Sequence, residues 1–202
     1  MIDKAIISLK DMIDELGESS VKSMLSSFCS PLNPDVEDFI RYKAIDFAKQ
    51  AIAPTHLVYT QHKGTPVVCG YFTITLKSFV IQKKDVGSTI FKRLTKFGTH
   101  DEQLNCCEIP APLIAQLSKN FENGYDKLIS GKELLDLALS EIKKLQAIGG
   151  GKVVYLECED KERLKDFYRQ NGFREFGKRS LDSDEMDKLT GQYLIQMLKY
   201  LD

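Results

Sequence analysis

The stretch Ile109–Leu135, IPAPLIAQLSKNFENGYDKLISGKELL, decides how the rest of the chain is read. Leu113 to Ser118 is a short apolar run entered through Pro110 and Pro112, the pattern of a buried strand that follows an irregular segment. Ser130-Gly131-Lys132-Glu133 is a capping box: the Ser130 hydroxyl serves the N–H of Glu133, and the Glu133 carboxylate returns to the N–H of Ser130. Gly131, Leu134, Leu135, Ala138, Ile142 and Leu145 then recur at helical spacing, so a long amphipathic helix lays that stripe on a sheet. A helix start fed by a glycine-bearing loop offers unpaired N–H groups and a positive dipole end, which suits a phosphate. The same pattern also describes an ordinary, well-capped strand-to-helix connection.

Downstream, Gly149-Gly150-Gly151 ends the helix, and Val153 to Cys158 reads as a buried strand. Asp160 is expected to cap a helix with Leu164, Phe167 and Tyr168 on one side, closed by Gly172. Phe173 to Phe176 and Tyr193 to Leu201 read as strands. Upstream, residues 4 to 15 have helical spacing, and Val21 to Phe28 reads as a strand. Asn33-Pro34-Asp35 is a strong helix start, followed by the stripe Val36, Phe39, Ile40, Ala44, Phe47 and Ala51, and Pro54 stops it. Thr55 to Thr60 and Pro66 to Leu76 form a hairpin through Gln61–Thr65. Residues 77 to 108 break the alternation. There Ser88 heads a short helix with Ile90, Leu94 and Phe97 inward, and Lys77, Lys83, Lys84, Lys92, Arg93 and Lys96 make this the most basic part of the chain. Such a run is either a solvated face or a track for an anionic partner.

The chain has 202 residues, 43% of them hydrophobic, enough for one core and tight for two, and its net charge of −1 argues against a dedicated nucleic-acid binder. The five cysteines have no zinc-like spacing, and the three histidines are scattered, so reduced thiols and no metal are expected. No signal peptide or membrane-spanning run is visible, which leads to the expectation of a soluble cytoplasmic protein. A Walker A loop fails: six residues separate Gly124 from Gly131, and Glu133 follows Lys132. The expected organisation is a single α+β domain over residues 1–202, with a mixed central sheet and helices on both faces. Residues 1–20 are read as an N-terminal helical extension and 77–108 as a basic insert.

LECEDKERLKDFYRQNGF, Leu156 to Phe173, resembles the strand and FY…GF helix of the GNAT superfamily of N-acetyltransferases. Ile109–Leu135 is similar to that superfamily's acetyl-CoA segment, a strand followed by a Q/R-x-x-G-x-G/A loop that opens a helix. Phe28-Cys29, the helix reaching Ala44, and Cys69-Gly70-Tyr71-Phe72 resemble the subgroup that includes the acetyltransferase toxins of toxin–antitoxin modules. The likeness covers roughly residues 21 to 201. It departs from the pattern at Asp126, in the Q/R position, and at Ile129, in place of the middle glycine, while Gly131 is kept. Gln116 stands where the toxin-like members commonly have arginine.

The resemblance implies the GNAT fold and acetyl-CoA as acyl donor, lying between two parallel strands, Leu113–Ser118 and Val153–Cys158. The pantetheine amides would pair with backbone groups of Leu117, Ser118 and Lys119. The pyrophosphate would take N–H groups from Asp126, Lys127, Leu128, Ile129, Ser130, Gly131 and Lys132, with the side chains of Lys119, Lys127 and Lys132 as cationic partners. Tyr168 would act as the general acid that protonates the departing CoA thiolate. The implied reaction moves an acetyl group to a primary amine by direct attack. The alternatives are a toxin-like acetyltransferase of aminoacyl-tRNA, which the net charge and Gln116 disfavour, and a non-catalytic acyl-CoA-binding protein. A homodimer is left open.

Overall fold

The computed structural model describes residues 4–183, 186, 189 and 191–201. Its contacts group the chain into two compact units, Met1–Thr75 with Ala115–Ser140, and Leu76–Ile114 with Glu141–Asp202. The described strands belong to one mixed sheet of order β1-β2-β3-β5-β6-β8-β7, with β4 on β5. No helix among the described residues is long and apolar enough to cross a membrane.

In the first unit, β1 (Ala5–Ser8) runs antiparallel to β2 (Thr55–His62), from Ala5↔Tyr59 to Ser8↔His56. The helix expected over 4–15 therefore starts late, at α1 (Leu9–Leu16), where Ser8 Oγ accepts from the Asp11 N–H at 3.4 Å. Pairing with β2 satisfies the backbone of the apolar Ile6-Ile7 pair, and tertiary context overrides the helical spacing. Residues 1–3 of the expected N-terminal extension lie outside the described residues. The strand expected over Val21–Phe28 is instead α2 (Glu18–Leu25), because Val21 and Leu25, four apart and both fully buried, place one helical face in the core.

Asn33 caps α3 (Pro34–Asp38), its side chain accepting from the N–H groups of Asp35 and Val36 at 3.0 and 3.3 Å. A π-helical turn (Phe39–Lys43) then leads into α4 (Ala44–Lys49). The wider turn advances the phase of the helix by one residue. Val36, Phe39, Ile40 and Ala44 are buried as expected, but beyond the bulge Ile45 and Ala48 join them, while Phe47 is half-buried and Ala51 exposed. These helices share a core with Leu57 and Tyr71, and each fully buried large apolar side chain contributes roughly 1.5–3 kcal/mol.

The hairpin of β2 and β3 (Thr65–Gln82) closes at His62↔Thr65 over Lys63-Gly64, both left-handed with φ 51° and 82°, the two-residue turn that fits strand twist. Continuing past the expected end at Leu76, β3 takes in Lys77. The segment then forms α5 (Lys83–Leu94), broken at Gly87 just before Ser88, a 3₁₀ turn (Thr95–Phe97) that holds Lys96, and β4 (Thr99–Asp101). Phe91 and Leu94 are buried there, whereas Ile90 and Phe97 are only half-buried. β5 (Cys106–Lys119) pairs antiparallel with β4 and parallel with β6 (Val153–Glu159) through Leu113↔Tyr155 and Ile114↔Leu156. The helix α6 (Gly131–Gly149) buries Leu134, Leu135, Ala138 and Ile142, leaves Leu145 38% exposed, and ends on left-handed Gly150 and Gly151.

In the second unit, β6 is followed by α7 (Glu162–Gln170), β7 (Arg174–Ser180) and β8 (Tyr193–Tyr200), with β8 antiparallel to both β6 and β7. Phe79 holds this unit's core, its ring 4.8 Å from Tyr155 and 4.7 Å from Phe176. The expected cap by Asp160 is not formed. Lys161 takes the cap position with no side-chain bond, because the Asp160 carboxylate is drawn to Lys165 at 2.5 Å.

Candidate functional site

In the first unit, the candidate functional stretch is the path from the end of β5 to α6. Asn120 is 3% exposed and ties three segments together. Its Nδ2 donates to Val68 O at 3.0 Å, and its Oδ1 accepts from the N–H of Cys29 at 3.1 Å and of Glu122 at 3.0 Å. The Cys29 carbonyl in turn accepts from the Phe121 N–H at 2.8 Å. Ser30 Oγ and Ser118 Oγ, both buried, lie 2.9 Å apart. Arg41 bonds Phe28 O at 2.7 Å and pairs with Glu37 at 2.7 Å, and Glu37 accepts from the Ser30 N–H at 2.6 Å. Residues 28–30 are thus fastened to the end of β5 by buried or half-buried polar contacts, which low local dielectric strengthens. Sequence reasoning missed Asn120, since a partner 91 residues away leaves no local signal, and it passed over the i,i+4 pair Glu37–Arg41, which was legible as a helix-surface pair but not as an anchor for residues 28–30.

Between β5 and α6, residues Glu122–Leu128 form 3₁₀ turns interrupted by left-handed Asn123 and Gly124. Ile129 follows in extended conformation with its side chain 2% exposed, so the bulk at the expected middle-glycine position is turned into the core. The capping box forms as expected: Ser130 N–H to Glu133 Oε2 at 2.8 Å, and Glu133 N–H to Ser130 Oγ at 3.1 Å. The Ser130 N–H is therefore engaged by protein, while those of Gly131 and Lys132 have no partner among the described residues. The bonds from Ser130, joined by Lys4 at 3.1 Å, hold the Glu133 carboxyl down to about 2.

Of the three expected cationic partners, Lys119 donates to Asp126 O at 2.9 Å and stands 4.0 Å from its carboxylate. Lys132 pairs with Asp136 at 2.6 Å. Lys127 is exposed, with no partner among the described residues. Leu117 and Leu128 are half-buried.

The second unit has its own candidate residue, on α7. Tyr168 is 8% exposed, edge-on to Phe167 at 5.1 Å and Phe173 at 5.7 Å between ring centroids. Gly172, with φ 84°, turns the chain so that the Phe173 N–H reaches Tyr168 O at 3.0 Å. The Tyr168 hydroxyl has no hydrogen-bond partner among the described residues. Burial foremost, then the neighbouring Cys158, pushes it above the ordinary tyrosine range, so it stays a protonated donor at neutral pH. Glu157 is no free base, for its carboxylate accepts from Arg179 Nε at 2.6 Å and Gln196 Nε2 at 2.9 Å. No group of His, Cys, Asp and Glu suited to a metal ion exists among the described residues.

A parallel strand pair, one strand running through a capped loop into a helix and the other into a helix ending FY…GF, defines the GNAT fold, and this chain has it. No family model matches the sequence, and no curated protein matches it either. Among solved structures, AtaT complexed with acetyl-methionyl-tRNAfMet is similar at a TM-score of 0.62 and 14% identity, over 96% of this chain and 94% of that one. A tyrosine-to-phenylalanine variant of KacT gives 0.62 and 12%, over 95% and 93%. AtaTR bound with AcCoA gives 0.54 and 14%, over 96% and 92%. At such identities the likeness is one of fold.

Proposed function

We propose that the chain is an acetyl-CoA-dependent N-acetyltransferase. The observation that supports this reading best is Tyr168, a buried phenol on the helix that follows β6, at the position where the resemblance implies the general acid. The capped start of α6, with the N–H groups of Gly131 and Lys132 left over, supports a pyrophosphate there. AtaTR bound with AcCoA supports the same donor. A deprotonated primary amine attacks the thioester carbonyl, a C–N bond forms, the C–S bond breaks, the thiolate takes the Tyr168 proton, and the proton the amide nitrogen sheds goes to solvent, from which the Tyr168 phenolate is reprotonated. A second reading makes the acceptor an aminoacyl-tRNA, favoured by the complex of AtaT with acetyl-methionyl-tRNAfMet and by the exposed Lys83, Lys84, Lys92, Arg93 and Lys96 of this chain.

Titration calorimetry with acetyl-CoA tests the proposal. One site is expected, and saturation at ~100 times the dissociation constant should stabilise the fold by about 2.7 kcal/mol. Gly131→Val, which crowds the leftover N–H groups, should remove most of that gain. Absence of binding by the parent protein would overturn the assignment.

A further inference from the structure

The first unit also holds a cavity of about 820 Å³, walled by α1, α2, the β2–β3 hairpin and the turns that follow β5. Its volume falls within the roughly 300–1,000 Å³ usual for small-molecule sites. No residue assigned to the acyl donor or to proton transfer lines it. Met12, Leu16 and Met24 belong to its apolar wall, and Leu16 and Met24 stay 50% and 40% exposed. The two methionines are flexible and polarizable, side chains that mould to the shape of a guest.

Charge decides which class of guest fits. The charged side chains of the lining are Glu15 and Glu122, both acids, and neither carboxylate has an ion-pair or hydrogen-bond partner among the described residues. Glu122 is half-buried, and a carboxylate drawn out of water without a counter-charge is unfavourable until a cation meets it. The Asn120 amide has no spare donor for an anion, because its Nδ2 is held by Val68 O. Tyr59 points its hydroxyl at sulfur, 3.0 Å from Met24 Sδ and 3.6 Å from Met12 Sδ. Tyr59 and Tyr125, both half-buried, add two phenol rings to the lining, and such rings attract a cation over their faces.

We propose that this cavity binds a small organic cation with an apolar body, an alkylammonium or aryl-alkylammonium. Glu122 and Glu15 meet its charge, and Met12, Leu16 and Met24 cover its body. An anion of the same shape would face two carboxylates, and a neutral analogue would leave Glu122 without a counter-charge.

The test uses trimethyl(4-phenylbutyl)ammonium, which has no N–H and so cannot serve as an acetyl acceptor. Its neutral and anionic counterparts are 4-phenylbutanol and 4-phenylbutyrate. Each is titrated, without acetyl-CoA, into the full chain carrying labelled methionine methyls and followed by NMR. The cation should move the Met12 and Met24 signals saturably and leave Met197, fully buried in the other unit, in place. It should bind about tenfold more tightly than the alcohol, with the carboxylate weakest. Glu122→Gln should weaken the cation about tenfold and leave the alcohol unchanged, which also shows the cavity intact. Glu15→Gln, at an exposed position, should weaken it by less. Equal affinity for cation and alcohol overturns the proposal, as does a Glu122→Gln variant that binds the cation like the parent. Absence of cation binding overturns it too, and so do shifts at Met197 without shifts at Met12 and Met24. Acetyl-CoA takes no part, so failure here leaves the acetyltransferase reading standing, and failure of acetyl-CoA to bind leaves this site standing.

Discussion

Two side chains give the sharpest tests at the scale of the residue. Tyr168→Phe keeps the ring packed against Phe167 and Phe173 and removes only the hydroxyl. Single-turnover assays should show acetyl transfer slowed ~100- to 10,000-fold, the usual contribution of a general acid, with acetyl-CoA affinity retained. If affinity falls and turnover per bound complex is kept, Tyr168 is a packing residue. Glu133 reports on the cap. Its folded carboxyl is held at about 2, below the ordinary 4.5, chiefly by the Ser130 N–H and hydroxyl and then by Lys4. A depressed carboxylate stabilises the fold above its unfolded pKa and loses that contribution as pH falls through the folded value. Glu133→Gln should therefore melt below the parent at pH 7, with the gap closing between about pH 4.5 and 2. With the side chain 53% exposed, the gap should be small, and a gap independent of pH would mean the carboxylate charge is irrelevant to the cap.

Between elements, close approach decides which glycines can change. A Cβ on Gly98 would overlap Glu108 O and lie 3.0 Å from Cys107 Sγ, so no side chain fits without moving β5 backbone. At Gly70 the nearest atoms would be Ser118 O at 2.9 Å and the Leu134 methyls at 3.2 and 3.3 Å, where a flexible side chain absorbs part of the clash. Overpacking of this kind costs roughly 1–3 kcal/mol or more. Urea unfolding should place Gly98→Ala below Gly70→Ala in stability, and both below the parent. Equal stability of all three would show that the contacts at Gly70 and Gly98 yield freely. Sequence spacing could not foresee either glycine, because the atoms that exclude a Cβ come from other strands and from α6.

Taking the molecule as a whole, charge discriminates between acceptors. The chain carries 28 basic against 29 acidic residues, so binding to a polyanion would depend on a local track rather than on overall attraction. Arg93 is partly structural, its guanidinium 4.2 Å from the Tyr200 ring centroid, so Lys92→Glu with Lys96→Glu is the cleaner probe. A free amine as acceptor predicts that this double variant matches the parent and that salt has little effect, and this is the expected outcome. Aminoacyl-tRNA as acceptor predicts the reverse: acetylation falling steeply between about 50 and 200 mM salt as phosphate contacts release counterions, roughly 0.7–0.9 in log–log slope per contact. Initial rates on charged tRNA at two salt concentrations separate the two.

The amino-acid sequence by itself determined those features whose cause is local. The Asn33 cap, the Ser130–Glu133 box, the glycines after α6, the Lys63-Gly64 turn region and the FY…GF helix each follow from neighbours within a few residues, through bonds or dihedrals that the local sequence fixes. Tertiary structure decided the rest. Residues 5–8 became a strand because β2 offers them a ladder, and 18–25 a helix because Val21 and Leu25 find one core. The π-helical turn at Phe39–Lys43 shifted a stripe that regular spacing had carried on to Ala51. The anchoring of residues 28–30 by Asn120, and the meeting of Gln116 with Asp35, join positions 91 and 81 residues apart, and only a folded backbone brings such atoms within bonding distance.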